Sequence, residues 1–301
     1  MSEKQTISDA PFFPEKSPPP YRVSAPQDFC SVMFSSPHSG RHYPDDFQNL
    51  LAVPLMDLRR VEDAFVDQLF SHVSEFGAGM ISAVYARSFV DLNRAPEELD
   101  SRMFKDGPPT PAGERSPRVE AGLGCIPRIA ASGKDIHTRM LSRSEADDRL
   151  NRAYLPYHTA LSNWMDNMAE RTGQAVLIDC HSMPSVVAGR RIQADIVLGS
   201  RHGSSCDESL TRLVEYGFAR LGYRVIRNTP YAGGYLTQRH GRPEDGRHAL
   251  QIEINRRLYM DETEVRLKSG YHRLQQDIRG IAQSIMEWSR KKKAAPKQAR
   301  H

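Results

Sequence analysis

Two histidines stand where apolar runs stop. Ser31-Val32-Met33-Phe34-Ser35-Ser36 ends in Pro37-His38-Ser39-Gly40, and Ala175-Val176-Leu177-Ile178-Asp179-Cys180 ends in His181-Ser182. Both runs read as buried strands opening into loops, and α/β proteins bind ligands at the carboxyl ends of their strands. Two imidazoles at two such ends can converge from segments far apart in sequence. Imidazole ligates zinc, and a catalytic zinc takes three protein ligands and keeps one position open. A third ligand is available in Glu62, Asp63 or Asp67, at the start of the helical pattern that follows the first histidine. An acidic first turn also complements the helix dipole, so the pattern alone does not choose among them. Two histidines and a carboxylate also suit non-haem iron oxygenases, although a placed glutamate base fits hydrolysis better. Strand alternation puts Asp179 on the same side as His181, where it can orient the imidazole as a supporting carboxylate.

Two further strand-like segments carry polar chemistry. Glu253 sits inside Leu250-Gln251-Ile252-Glu253-Ile254. A carboxylate between apolar neighbours is either paired or set up as a general base with a shifted pKa. Val90-Asp91-Leu92-Asn93-Arg94 ends in an amide and a guanidinium that suit an oxyanion or a carboxylate, although Glu97 and Glu98 could instead pair with Arg94. Cys180 neighbours His181, but adjacent strand residues face opposite sides, and a buried thiol is the reading preferred here. HExxH, GxSxG and P-loop motifs are absent from the sequence. Gly122-Leu123-Gly124 lacks the third glycine of a dinucleotide fingerprint.

The elements that must position these residues alternate. Strand patterns fall at 80–85, 89–92, 174–180, 194–199, 223–228 and 249–254, and helical periods at 61–76, 144–169, 206–221 and 261–290. Pro156 should kink the second of these helices. The order predicts one α/β domain with a central mixed, mostly parallel sheet flanked by helices. The Gly- and Pro-dense stretch 96–134 is long for a loop without structure. Residues 1–28 read as a Pro-rich arm, 29–289 as the folded domain and 290–301 as a basic disordered tail. Among 301 residues with net charge +4, four cysteines form no CxxC pair, which suits a reducing compartment. With no spanning apolar run and no leader-like start, the expected location is the cytoplasm, without a membrane partner. The tail has no aromatic interleaving to support stacking on nucleic acid.

Taken together, Ser36-Pro37-His38-Ser39-Gly40, Asp91-Leu92-Asn93-Arg94, Tyr154-Leu155-Pro156-Tyr157-His158, Asp179-Cys180-His181-Ser182 and Gln251-Ile252-Glu253-Ile254-Asn255-Arg256 with Tyr259 resemble the N-formylglutamate amidohydrolase family. They occur in the family's order over residues 30–265. The resemblance implies a zinc carboxypeptidase-like fold and a zinc-dependent amidase for N-acyl amino acids, with one Zn2+ per chain. His38, Asp63 and His181 would hold the metal. The carboxypeptidase position three after the first histidine is Arg41 here, and Asp63 takes its place. Glu253 would activate water, and Arg94 would stabilise the oxyanion beside Asn93. Arg128, Arg191, Arg239 and Arg256 are the candidates for substrate carboxylates. Other N-acyl amino acids, small peptides or a silent zinc- or carboxylate-binding role are the competing readings. Oligomeric state is not readable from the sequence.

Overall fold

The computed structural model describes residues 18–25, 30–108, 116–187 and 189–293. Seven strands form one sheet: β1 (Tyr21–Ser24), β2 (Val32–Ser36), β3 (Gly79–Ala83), β4 (Ala175–Met183), β5 (Ile196–Gly199), β6 (Val225–Arg227) and β7 (Arg247–Asn255). Their spatial order is β1-β3-β2-β4-β7-β5-β6. Strands β3, β2, β4 and β7 run parallel in the centre, β1 pairs antiparallel with β3, and β5 pairs antiparallel with β7. This is the mixed, mostly parallel α/β sheet that the sequence predicts.

Alternation divides each central strand between two cores. Phe34, Val176, Ile178, Cys180, Leu250 and Ile252 face one side. Helix α3 (Glu208–Arg220) covers them with Leu210, Val214 and Phe218, and helix α4 (Gly270–Lys293) with Leu274, Ile278, Ile281 and Ile285. These i, i+3 and i+4 spacings make one apolar stripe per helix. Met33, Leu177 and Ala249 face the other side, against Tyr157, Leu161, Met165 and Met168 of helix α2 (Leu155–Thr172). On this second face the strands change character towards their carboxyl ends. Leu177 gives way to Asp179 and His181, and Ala249 to Gln251 and Glu253, all buried. The polar ends of β4 and β7 thus lie on one face, directly above the apolar core.

Several local expectations change. Residues 61–76 are not one helix. Phe65 is left-handed at φ 67°, and the segment breaks into a short helical turn, Val66–Leu69, and a 3-10 stretch, Ser71–Phe76. Asp63 and Asp67 therefore do not share a helical face. Residues 89–92 are turns rather than a strand, because their backbone serves a loop: Asp91 N–H donates to Cys125 O at 2.7 Å. The expected 144–169 helix is two helices. A capping box of Ser142 and Glu145 opens α1 (Arg143–Arg149), and a π-helical turn, Leu150–Tyr154, joins it to α2. Pro156 cannot donate to the carbonyl of Arg152, so the turn ahead of it widens. The last helix begins at Gly270, because Met260–Asp261 and Arg266–Leu267 pair as a small ribbon. Residues 1–28 contain the edge strand β1, which pairs Tyr21 with Ala83. The sequence reading missed it because its partner lies 62 positions away in the chain. Residues 1–17 and 294–301, the rest of the arm and most of the tail, lie outside the described residues, as do 109–115 of the long connection. Among the described residues no helix is long and apolar enough to cross a membrane.

Three buried histidines and the half-buried His137 titrate with folding. Burial lowers the pKa of His137, His158 and His240 to about 3 and of His248 to about 4. Each is protonated first in the unfolded chain, so the stability it contributes is complete above pH 6.5 and is lost as pH falls from 6.5 towards those values. Burial lowers the pKa of His181 too, but its carboxylate neighbours more than reverse this, and it acts in the opposite sense. The Glu62 and Glu253 carboxyls, raised by burial to about 7, act in that opposite sense as well, so a variant that removes one histidine isolates its share. Between pH 7.5 and 5.5, with chelator present, a His137→Gln variant should lose about 1.4 kcal/mol less stability than the wild type in denaturant unfolding. An identical pH dependence in the two proteins would contradict this.

Candidate metal centre and active site

His38 follows β2 in a turn that crosses the end of β3. Gly40 is required there, because a Cβ on it would overlap the carbonyl oxygen of Tyr85. The His38 carbonyl accepts the N–H of Asp63 at 3.0 Å, which draws the 60–65 turn in against the sheet. His181 lies within β4, which extends past the expected end at Cys180 to Met183. These three side chains meet. Asp63 Oδ2 lies 2.9 Å from His181 Nδ1 and 3.4 Å from His38 Nδ1, and the two imidazole centroids are 4.7 Å apart. Asp63 is the acidic residue that reaches both histidines. Glu62 instead accepts a hydrogen bond from Tyr43 Oη, and Asp67 lies outside the group.

The group can hold a metal ion, with its ligand atoms all within 4.8 Å of one another. Zinc–nitrogen and zinc–oxygen bonds of roughly 2.0–2.2 Å put tetrahedral ligand atoms about 3.3 Å apart. Distances of 2.9 and 3.4 Å match that spacing. The supporting shell points the same way. His38 Nε2 is 2.7 Å from Asp91 Oδ1, and His181 Nε2 is 2.9 Å from Asp179 Oδ2. With Nε2–H given to its carboxylate, Nδ1 of each imidazole is the atom left to face Asp63 and a shared cation. His38 Nδ1 is buried and has no hydrogen-bond partner. A cation satisfies that orphaned atom.

The surrounding charges are interlocked. Arg256, 5% exposed, donates to Asp63 Oδ1 at 3.0 Å, to Ser182 Oγ at 3.1 Å and to the Arg60 carbonyl at 2.8 Å. Arg87 donates to Asp91 Oδ2 at 2.8 Å and lies 3.7 Å from Asp63 Oδ1. Burial works against the charged form of Asp91, but His38 and Arg87 hold its carboxyl well below the usual range. Asp63 is likewise held low against burial by His181 and His38. Glu253 is different. It is the Cα partner of His181 across the parallel β4–β7 pair, so it faces the same group. Burial pushes its carboxyl up to about 7. Its Oε1 accepts from Gln251 Nε2 at 2.9 Å, and Gln251 Oε1 accepts the Gly234 N–H at 2.8 Å. The loop around Gly233-Gly234-Tyr235 is therefore bonded to the strand that carries Glu253.

A cleft of about 290 Å³ opens over these residues, of a size for a small molecule. Its walls include His38, Asp63, His181, Glu253, Asn93 and Arg94. Asn93 is 3% exposed, and protein groups engage its amide: Oδ1 accepts the Leu236 N–H at 2.8 Å, and Nδ2 donates to Asp179 Oδ2 at 3.2 Å. Arg94 pairs with neither Glu97 nor Glu98. It donates to the carbonyls of Asn93 at 2.8 Å and Leu123 at 3.1 Å. Tyr154 and His158 flank the Pro156 distortion and hold this segment, donating to the carbonyls of Arg94 at 2.8 Å and Leu92 at 3.0 Å. Arg256 lines the cleft, but Arg128, Arg191 and Arg239 do not. Arg128 is ion-paired with Asp100 and Asp135, Arg191 lies exposed on the 186–191 hairpin, and Arg239 donates to Tyr235 Oη at 3.0 Å. The sequence reading missed Arg87, Arg118 and Gln251. Alternation with Glu253 could have flagged Gln251, whereas the two arginines sit in turns without a periodic signal.

A family model for N-formylglutamate amidohydrolase matches residues 30–260. The chain belongs to the N-formylglutamate amidohydrolase family. It is 30% identical over 249 residues to the N-formylglutamate deformylase of Pseudomonas putida, covering 80% of this chain and 86% of that protein. It is 27% identical over 284 residues to the N-formylglutamate deformylase of Pseudomonas aeruginosa, covering 87% and 95%. Among solved structures, the N-formylglutamate amidohydrolase of Ralstonia eutropha superposes with a TM-score of 0.86 at 34% identity, covering 91% of this chain and 99% of that one. A gene product of Agrobacterium tumefaciens shares the fold, with a TM-score of 0.64 at 20% identity over 91% of this chain and 96% of that one.

If Asp91 fixes the His38 imidazole, Asp91→Asn should weaken metal binding about 10- to 100-fold while the protein stays folded. Competition with a chromophoric chelator reads this directly. Unchanged affinity would remove Asp91 from that role.

Proposed function

We propose that this protein hydrolyses N-formyl-L-glutamate to formate and glutamate, using one zinc ion per chain held by His38, Asp63 and His181. The observation that carries the reading is the register of β4 and β7, which sets the buried Glu253 carboxylate beside His181 and facing the three-residue group. The relatives' names supply the substrate. A divalent cation at such a site acidifies water and polarises a carbonyl.

The chain's own residues do the rest. Glu253 takes a proton from the attacking water and later delivers it to the leaving amide nitrogen. Burial raises its pKa and so opposes the lowering that a bound cation brings, which favours both taking the proton and passing it on. Gln251 fixes its Oε1, so the carboxylate enters the reaction already oriented. Arg94 donates through Nη2 to the oxygen on which charge develops, its Nε and Nη1 held by two backbone carbonyls. Asn93 and Asp179 keep His181 in place rather than touching substrate. Four unpaired cysteines, three of them buried, suit the reducing cytoplasm.

Metal analysis and formate release, measured on one sample before and after chelation, test this reading. Near-stoichiometric zinc with chelator-sensitive formate release is the expected result. Zinc without formate release would contradict the substrate, and a protein that binds no metal would contradict the mechanism. Glu253→Gln should keep its metal and lose about 10²- to 10⁴-fold in kcat. The sign of the pH effect follows from the base: kcat/KM should fall as pH drops through the Glu253 pKa. That value is about 7 without metal and lower beside a bound cation. A wild-type rate in the Gln variant would exclude Glu253 as the base.

A further inference from the structure

Four guanidinium groups line the cleft, and they are not equivalent. Arg256 is committed to Asp63, and Arg87 to Asp91. Arg94 is tied to backbone carbonyls next to the buried group. Arg118 is exposed, and its guanidinium forms no ion pair or hydrogen bond among the described residues.

The turn that carries Arg118 is nonetheless fixed. Ser116 caps the Pro117–Glu120 turn by accepting from the Val119 N–H, and its hydroxyl donates to Glu98 Oε1 at 3.1 Å. Leu123 then joins the two arginines. Its N–H donates to the Arg118 carbonyl at 2.8 Å, and its own carbonyl accepts Arg94 Nε at 3.1 Å. The chain is closely packed here, since a Cβ on Gly124 would overlap the carbonyl oxygen of Glu98. Two like charges are thus anchored through one residue in one cleft, and among the described residues neither guanidinium is ion-paired with a carboxylate. Such an arrangement repels itself until an anion enters. A guanidinium fork matches a carboxylate bidentately.

N-formyl-L-glutamate has two carboxylates, and the side-chain one is farther from the bond that breaks. Arg118 is the most exposed of the four arginines and stands at the mouth. Resting on the function proposed above, we infer that Arg118 binds the side-chain carboxylate of the substrate and makes the enzyme selective for N-acyl derivatives of acidic amino acids.

The test compares N-formyl-L-glutamate with its neutral isostere N-formyl-L-glutamine, in wild type, Arg118→Gln and Arg118→Lys. In the Gln variant KM for the glutamate compound should rise about 10- to 100-fold with a much smaller change in kcat. The glutamine compound should lose far less, so the preference between the two collapses, and Lys should restore part of it. A Gln variant that keeps the wild-type preference, or loses equally on both compounds, overturns the inference. A wild-type enzyme that hydrolyses neither compound overturns the functional reading and this inference with it. Because Arg118 is exposed, its replacement leaves the core intact, and matched melting temperatures verify that.

Discussion

Four carboxylates are buried together at the ends of the central strands, and that charge constrains everything around them. Asp63, Asp91, Asp179 and Glu253 are each at most 7% exposed. A buried carboxylate is tolerated only when paired and hydrogen-bonded. Arg87 and Arg256 are the two guanidiniums that pair with members of this set. Two negative charges are left, the charge of one divalent cation. Without a cation, the structure compensates with protons. His181 is held well above the ordinary imidazole range by Asp179 and Asp63 despite its burial, and Glu253 is pushed up by burial. The three residues that could hold a metal, the second carboxylate on each histidine and the shifted Glu253 carboxyl are therefore one charge balance rather than three separate features.

The sheet provides the precision that balance needs. Each central strand gives its carboxyl end to the site on one face and keeps apolar residues on the other, where α3 and α4 pack. Pairing of β4 with β7 places Asp179 opposite Gln251 and His181 opposite Glu253. A slip of β7 by one residue would turn Gln251 and Glu253 away from the face that carries His181. The loop residues are held by a different device. The π-helical turn before Pro156 lets Tyr154 and His158 reach two carbonyls of the 92–94 segment, which fixes the base of Arg94.

How much of this was legible depends on how local each signal is. His38, His181 and Glu253 were readable because polar residues interrupt apolar strand runs, and Asp179 because alternation fixes its side. The mixed sheet followed from the order of elements. Asp63 was named through the family resemblance, while the helical pattern around it misled. Phe65 turns left-handed, and a backbone bond to His38, 25 residues earlier, decides where Asp63 points. The arginines were the least legible. In a chain with 41 Lys and Arg residues, type alone does not show which of them reach a cleft. Arg128 and Arg239 find partners near their own turns, whereas Arg87 and Arg118 owe their positions to tertiary packing of irregular segments.

The account rests on one claim, that His38 and His181 present Nδ1 to a shared metal because Asp91 and Asp179 occupy Nε2. Anomalous diffraction at the zinc edge, from crystals of the zinc-loaded protein, tests it most directly. The account predicts one strong peak per chain within bonding distance of both Nδ1 atoms and of an Asp63 oxygen. A peak bonded through either Nε2, or placed away from Asp63, would contradict it.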